Sequence, residues 1–422
     1  MNLKANSAAS LTLFALLCAA SPPHAAAQPR GRARAAKRTP RVETPRTRFT
    51  SGGAASIPFE FYDGGILLKA RINDSPVTLS IDTGTGGVFA VVKERTAKRI
   101  GLRPRGGYTV AGVAGDFSAA TAYGARVTLP GLEFSGQRIE VVPLDDAGEA
   151  GEPHIDGTFG GDFIKQFVVR IDFAAKLISL RAPAPYRYEG EGAVVPLHLD
   201  EGGDALVRLK MTTPEGANVE GRFKLDTGLS GTLVFFTPAV RKFRLIRNTK
   251  TVAAPSSAET GGEFTRRIGR MKSLQLGGVT IPNPTVSFST STDRADADGV
   301  LGMEVLRRFS LIIDYARSRV ILEPDADFAE PYEEDMSGLA LEPALVAGRK
   351  VFKVTQVLAG TPAAEAGVRA GDLVVAVDGQ PASRLDVGRI SRLLKNDGRE
   401  IKLSLARGRE SVEAAIKLRR LI

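Results

Sequence analysis

The chain is poor in the residues that small stapled or metal-built domains need. Its 422 residues include one cysteine, three histidines and no tryptophan. That excludes a disulfide framework, a cysteine-rich zinc module and an iron–sulfur protein. No H-E-x-x-H pairs the histidines, so no metal and no cofactor is expected. G-x-S-x-G is missing, which argues against a serine hydrolase. No P-loop or G-x-G-x-x-G occurs, and no aromatic-interleaved basic surface points to nucleic acid. Long apolar runs are also missing. The stretch L-T-L-F-A-L-L-C-A-A (11–20) is too short to cross a bilayer.

What is present begins with a leader-like start. Lys4, the 11–20 stretch and Ala25-Ala26-Ala27 fit a secretory signal peptide over 1–27, so an exported protein, periplasmic or secreted, is expected. Residues 28–50 hold eight Lys/Arg against Glu43 alone, which accounts for most of the formal charge of +10. This segment has too little apolar content to build a core and reads as a disordered basic linker. Its charge suits weak contact with anionic envelope components.

The body repeats itself. V-T-L-S-I-D-T-G-T-G-G (77–87) has a counterpart in G-R-F-K-L-D-T-G-L-S-G (221–231). D-G-T-F-G-G-D-F-I-K-Q-F-V-V-R-I-D-F (156–173) matches D-G-V-L-G-M-E-V-L-R-R-F-S-L-I-I-D-Y (298–315) without a gap. The same two features recur in the same order at nearly equal spacing, so one lobe is duplicated. Alternating strands such as V-T-L-S-I, with Val77, Leu79 and Ile81 on one face, make each lobe mainly β. Short helices are predicted at Val92–Ile100, Gly161–Gln166 and Met303–Arg308. The boundaries read as lobe 1 over 51–186, lobe 2 over 187–324, an acidic linker over 325–335 and a small α+β unit over 336–422.

Each D-T-G places an acid at the end of an apolar strand, off its apolar face. Gly then permits a tight turn and close approach of another chain. If the two turns meet on a pseudo-twofold axis, Asp82 and Asp226 come together and cannot both ionise. One acts as base toward a water while the other protonates a carbonyl oxygen. Plain structural readings suffice for the other repeated acids. Asp172 and Asp314 end strands before turns, Asp156 and Asp298 precede Gly, and His154 and His198 are ordinary surface or satisfied histidines.

These motifs resemble the aspartic proteases over about 51–322, pepsin-like in having two lobes on one chain and retropepsin-like in compactness. The resemblance implies two aspartic-protease-like β barrels with catalytic Asp82 and Asp226, Thr83 and Thr227 bracing the loops, and support from Gly84, Thr85, Gly228, Gly160 and Gly302. It implies flaps at 107–118 and 251–264, with Tyr108 or Tyr123 as substrate contacts. Leu229 departs from the family, which has a small or hydroxyl residue there. G-T-P-A-A-E-A-G-V-R-A-G-D-L-V-V-A-V-D-G (360–379) resembles a PDZ domain of bacterial proteases. Gly338, Leu339, Ala340 and Leu341 would then form the loop that takes a peptide's terminal carboxylate. The expected partners are a polypeptide substrate and a C-terminal peptide. The rival is an inactive envelope scaffold acting through the PDZ unit.

Overall fold

The computed structural model describes residues 44–50, 52–112, 116–144, 153–259 and 262–422. The leader at 1–27, most of the basic segment and the tips of both expected flaps lie outside the described residues. The fold is mainly β. A nine-stranded sheet gathers the strands of the first lobe and a ten-stranded sheet those of the second.

The two halves of the repeat meet in a third, six-stranded sheet. Val168–Asp172 and Phe309–Asp314, equivalent strands of the repeat, pair antiparallel, with Ile171 opposite Leu311. Leu177–Arg181 and Ala54–Pro58 extend this sheet on one side, and Arg319–Pro324 and Ala193–Pro196 extend it on the other. Val169, Ile171, Leu311 and Ile313 are buried in it, within one apolar core that runs through both lobes. The C-terminal unit has a separate core around Phe352, Val354, Val374, Ile390, Leu394, Ile401 and Leu403. Its helix Val387–Leu394 is capped by Asp386, whose carboxylate accepts the Arg389 N–H at 2.6 Å.

Three expectations need correction. The basic segment was expected to stay unstructured through residue 50, yet Arg46–Phe49 pair with Leu132–Ser135 as an edge strand. Phe49 supplies the missing apolar anchor, edge-on to Phe167 at 5.8 Å. The first helix starts at Glu94 rather than Val92, because Ala90–Lys93 are a strand paired on both sides. The acidic stretch 325–335 is strapped down, although its composition is that of a linker. Arg308, 1% exposed, donates to the Glu330 and Pro331 carbonyls and lies 3.5 Å over the Tyr332 ring. Thr285 donates to Glu334 at 2.7 Å.

Candidate active site

The sequence puts each D-T-G directly after a central strand, Ser75–Ile81 in lobe 1 and Asn218–Leu225 in lobe 2. The supporting segments pair parallel to those strands, Gly157–Phe159 with Leu79–Ile81 and Gly299–Leu301 with Phe223–Leu225. They hold the acids by the backbone. The Asp82 N–H donates to Phe159 O and the Asp226 N–H to Leu301 O, both at 3.0 Å. Gly160 and Gly302 close the motif by donating to Phe89 O at 3.0 Å and Thr232 O at 2.9 Å. A side chain at Gly302 would strike Gly231 O at 2.3 Å, so only glycine fits the crossing.

The two loops meet. A Cβ on Gly84 would stand 2.6 Å from Asp226 Cγ, and one on Gly228 would stand 2.7 Å from Asp82 Cγ. Each carboxylate therefore rests against the glycine of the opposite loop. Thr83 and Thr227 cross between them. The Thr83 hydroxyl donates to Leu225 O at 2.6 Å and the Thr227 hydroxyl to Ile81 O at 2.9 Å. Within each loop the glycine N–H donates to its own acid, Gly84 to Asp82 at 2.8 Å and Gly228 to Asp226 at 2.7 Å.

The symmetry fails at one hydroxyl. Thr85 donates to Asp82 Oδ2 at 2.8 Å. The Leu229 side chain has nothing to donate, only its backbone N–H reaches the Asp226 carboxyl, and Asp226 Oδ2 has no hydroxyl donor. Burial pushes the Asp226 carboxyl up to about 6. Burial, then the neighbouring Asp226 charge, hold Asp82 well above the ordinary carboxylate range. Any proton held there belongs to the pair.

Both acids are 0% exposed. Leu229 packs over the second loop with Leu206, Phe236, Ala297 and Val300. The turn at Gly64 presses on lobe 2, since a Cβ there would lie 2.6 Å from Ser230 Cβ. A cavity of about 380 Å³ reaches Leu229–Thr232 but not the acids. It continues along Val252–Ser256 to the C-terminal unit, where Gly338–Glu342 and Val387 line it. The state described is closed over its carboxylates.

The remaining predicted residues fall in several places. Asp156 and Asp298 brace strand neighbours, accepting the Thr78 and Arg222 N–H groups at 2.8 and 2.9 Å. His154 Nε2 lies 3.0 Å from Asp156 Oδ1, and His198 is exposed. Asp172 accepts a turn N–H from Ala175, and Asp314 pairs with Arg317 and Arg319. Tyr108 donates its hydroxyl to Glu140 at 2.6 Å on its own sheet, while Tyr123 is exposed. At the C-terminal loop, Asp335 Oδ1 accepts the N–H groups of Ser337 and Gly338, both at 2.8 Å. The Leu339 N–H goes to Ser337 Oγ at 3.1 Å. A peptide carboxylate there would have to share those donors.

Sequence reasoning missed Asp204, Lys224 and Tyr315. Among the described residues, Asp200, Asp204 and Asp296 form the one three-acid group whose spacing suits a cation. The buried Lys224 ammonium takes that role, at 2.6 Å from Asp296, 3.6 Å from Asp200 and in direct contact with Asp204. Burial works against the Asp296 charge, but Arg294 and Lys224 outweigh it and hold that carboxyl below its usual range. Period-two alternation was the available signal, since it puts Lys224 on the face of its strand that Asp226 continues.

Residues 68–163 and 211–305 each match the sequence profile of the family described as Aspartyl protease, and 353–407 match that of the PDZ domain. A relative from Synechocystis sp. named as a serine protease, HhoA, is 41% identical over 70 residues, which is 16% of this chain and 17% of that protein. The crystal structure of the aspartic proteinase from Irpex lacteus aligns over 66% of this chain and 99% of its own, at 14% identity and a TM-score of 0.45.

Proposed function

Starting from a chain made of two aspartyl-protease lobes and a C-terminal PDZ domain, we propose that it is an exported aspartic endopeptidase. The observation that carries this is the reciprocal seating of Asp82 and Asp226 against Gly228 and Gly84. One carboxylate, unprotonated, takes a proton from a water. The water oxygen bonds to the peptide carbonyl carbon while the other, protonated acid gives its proton to the carbonyl oxygen. The tetrahedral intermediate collapses when the scissile C–N bond breaks: the amine takes the proton that the base removed from water, and a hydroxyl of the intermediate returns its proton to the other carboxylate as the carbonyl re-forms. No covalent enzyme intermediate forms. Raised acids suit this work, because one proton must stay on the pair at working pH.

The chemistry requires an opening. Both acids are fully buried, so a path must open before peptide and water reach them. The cavity beside Leu229 supports a role for the PDZ domain in that approach. Its strand Leu339–Val346 and helix Val387–Leu394 face the same space as the segment after the second D-T-G. A peptide added to that strand would be held next to the cleft, at raised effective concentration. We assign peptide capture to Gly338, Leu339, Ala340 and Leu341. The basic segment before residue 44 is assigned weak contact with anionic envelope components.

One observation favours a second reading, an inactive peptide-binding scaffold: complete burial of the pair. The two are separated by incubating the full chain with an unstructured protein substrate across pH 3–8. The peptidase reading expects cleavage that Asp82→Asn and Asp226→Asn each reduce by at least about 10³-fold. Peptide binding without cleavage at any pH supports the scaffold and overturns the peptidase.

A further inference from the structure

We propose that Asp204 and Lys224 of lobe 2 are positioning residues that anchor the lobe 1 catalytic loop and set the charge around the acid pair. The inference rests on the peptidase reading above and deepens it.

The geometry is a cross-lobe tether. Asp204 Oδ1 accepts the N–H of Gly86, four residues past Asp82, at 2.8 Å. Its other oxygen meets Lys224 Nζ, and both side chains are fully buried. Lys224 stands two residues before Asp226, on the strand that leads into it. The chain of contacts Gly86–Asp204–Lys224 thus ties the first acid's loop to the strand that delivers the second. The approach is too close for a side chain at Gly86, where a Cβ would fall 2.3 Å from Asp204 Oδ1. The turn itself is fixed by the Asp204 N–H, which donates to Asp200 Oδ1 at 2.9 Å.

The device is one-sided. In lobe 2, Leu206 pairs with Lys224; the matching pair in lobe 1 is Leu67 with Ser80. That register sets Gly65 opposite Asp204 and Ser80 opposite Lys224 in the repeat. One half carries a buried ion pair where the other has a glycine and a serine. Two unsolvated charges are costly unless their geometry is used. Here one charge holds a loop N–H, and its field reaches the pair. The negative charge of Asp204 is among the influences raising Asp226, after burial.

Several other groups face this centre. Asp200, Asp296 and Arg294 flank Lys224, and Lys165 lies over the Gly203 turn. Tyr315 is buried nearby with its hydroxyl unpartnered, within reach of the Asp204 and Asp82 charges.

Two variants separate anchoring from charge. Asp204→Asn keeps an oxygen for Gly86 but removes the charge and leaves Lys224 positive. Its cleavage should keep kcat within about threefold while the acid limb of the pH profile moves down by about one unit. The double variant Asp204→Ala with Lys224→Met removes both charges together and leaves Asp296 paired with Arg294. Its acid limb should stay near wild type while kcat falls at least about tenfold and KM changes less than about twofold. An unmoved limb in Asp204→Asn, or an unchanged kcat in the double variant, overturns the proposal. If Asp204→Asn does not fold, the double variant alone decides. If wild type cleaves nothing, the peptidase reading fails by itself. The inference is then read from ¹³C titration of the Asp82 and Asp226 carboxyls, where Asp204→Asn must lower the pair and an identical curve overturns it.

Discussion

Thr83 and Thr227 each donate a backbone N–H to the other's hydroxyl, at 3.1 and 3.0 Å, across the junction of the lobes. Each hydroxyl in turn donates to the carbonyl just before the other's aspartate. Four hydrogen bonds from two residues fix the separation of the loops, and all four are buried.

Replacing either hydroxyl by a methyl group therefore strands a donor and an acceptor. Thr83→Val or Thr227→Val should destabilise the chain by about 2–4 kcal/mol, from the cost of unpaired buried groups. Thr→Ser at either position should lose much less. Urea unfolding of the four variants checks this.

The raised acids make stability depend on pH. Burial pushes the Asp226 carboxyl up to about 6 in the folded chain, above its unfolded value of about 4. The stabilisation is thus complete below about pH 4 and is lost as pH rises through about 6. Wild type should lose on the order of 2 kcal/mol relative to Asp226→Asn between pH 4.5 and 7.5. Urea midpoints of the two proteins at several pH values give the difference directly.

Leu229 leaves Asp226 Oδ2 without a hydroxyl donor. Leu229→Thr supplies one and favours the charged form. The acid limb of cleavage should move to lower pH by about one unit. Thr85→Val, which removes the equivalent donor from Asp82, the higher of the two acids, should move the basic limb upward. The pH dependence of kcat/KM for both variants is the measurement.

Much of this arrangement was legible in the residues. Two D-T-G triplets after alternating strands, each followed by a glycine block, located the acids, the crossing threonines and the supporting glycines. The mismatch of Leu229 with Thr85 was visible as well, and with it the asymmetry. What stayed hidden depends on tertiary contacts. Asp204 lies in no motif, and only its approach to Gly86 gives it a role. Lys224 looked like an ordinary polar position of a strand, because alternation names a face but not what covers it. The acidic stretch before the PDZ domain read as a linker, since composition cannot report that Arg308 reaches out to bind its carbonyls. Burial of both acids likewise follows from tertiary packing, not from any local pattern.

That strap yields a prediction about the PDZ domain. Arg308→Met removes the donors to Glu330 and Pro331 and the cation over Tyr332. The segment 325–335 should open locally, at less cost than global unfolding. A glutamate-specific protease should cut at Glu333 or Glu334 several-fold faster in this variant, which mapping of the fragments by mass spectrometry reads out.

Whether Asp82 and Asp226 share one proton is read most directly by ¹³C-carboxyl NMR of the aspartate-labelled full chain, with Asp82→Asn and Asp226→Asn to assign the signals. Two separated titrations that both report on both residues are expected, the upper one at about 6 or higher. Each substitution should collapse them to a single step. Two independent titrations near the ordinary value of about 3.9, each untouched by loss of the other residue, would contradict a shared proton.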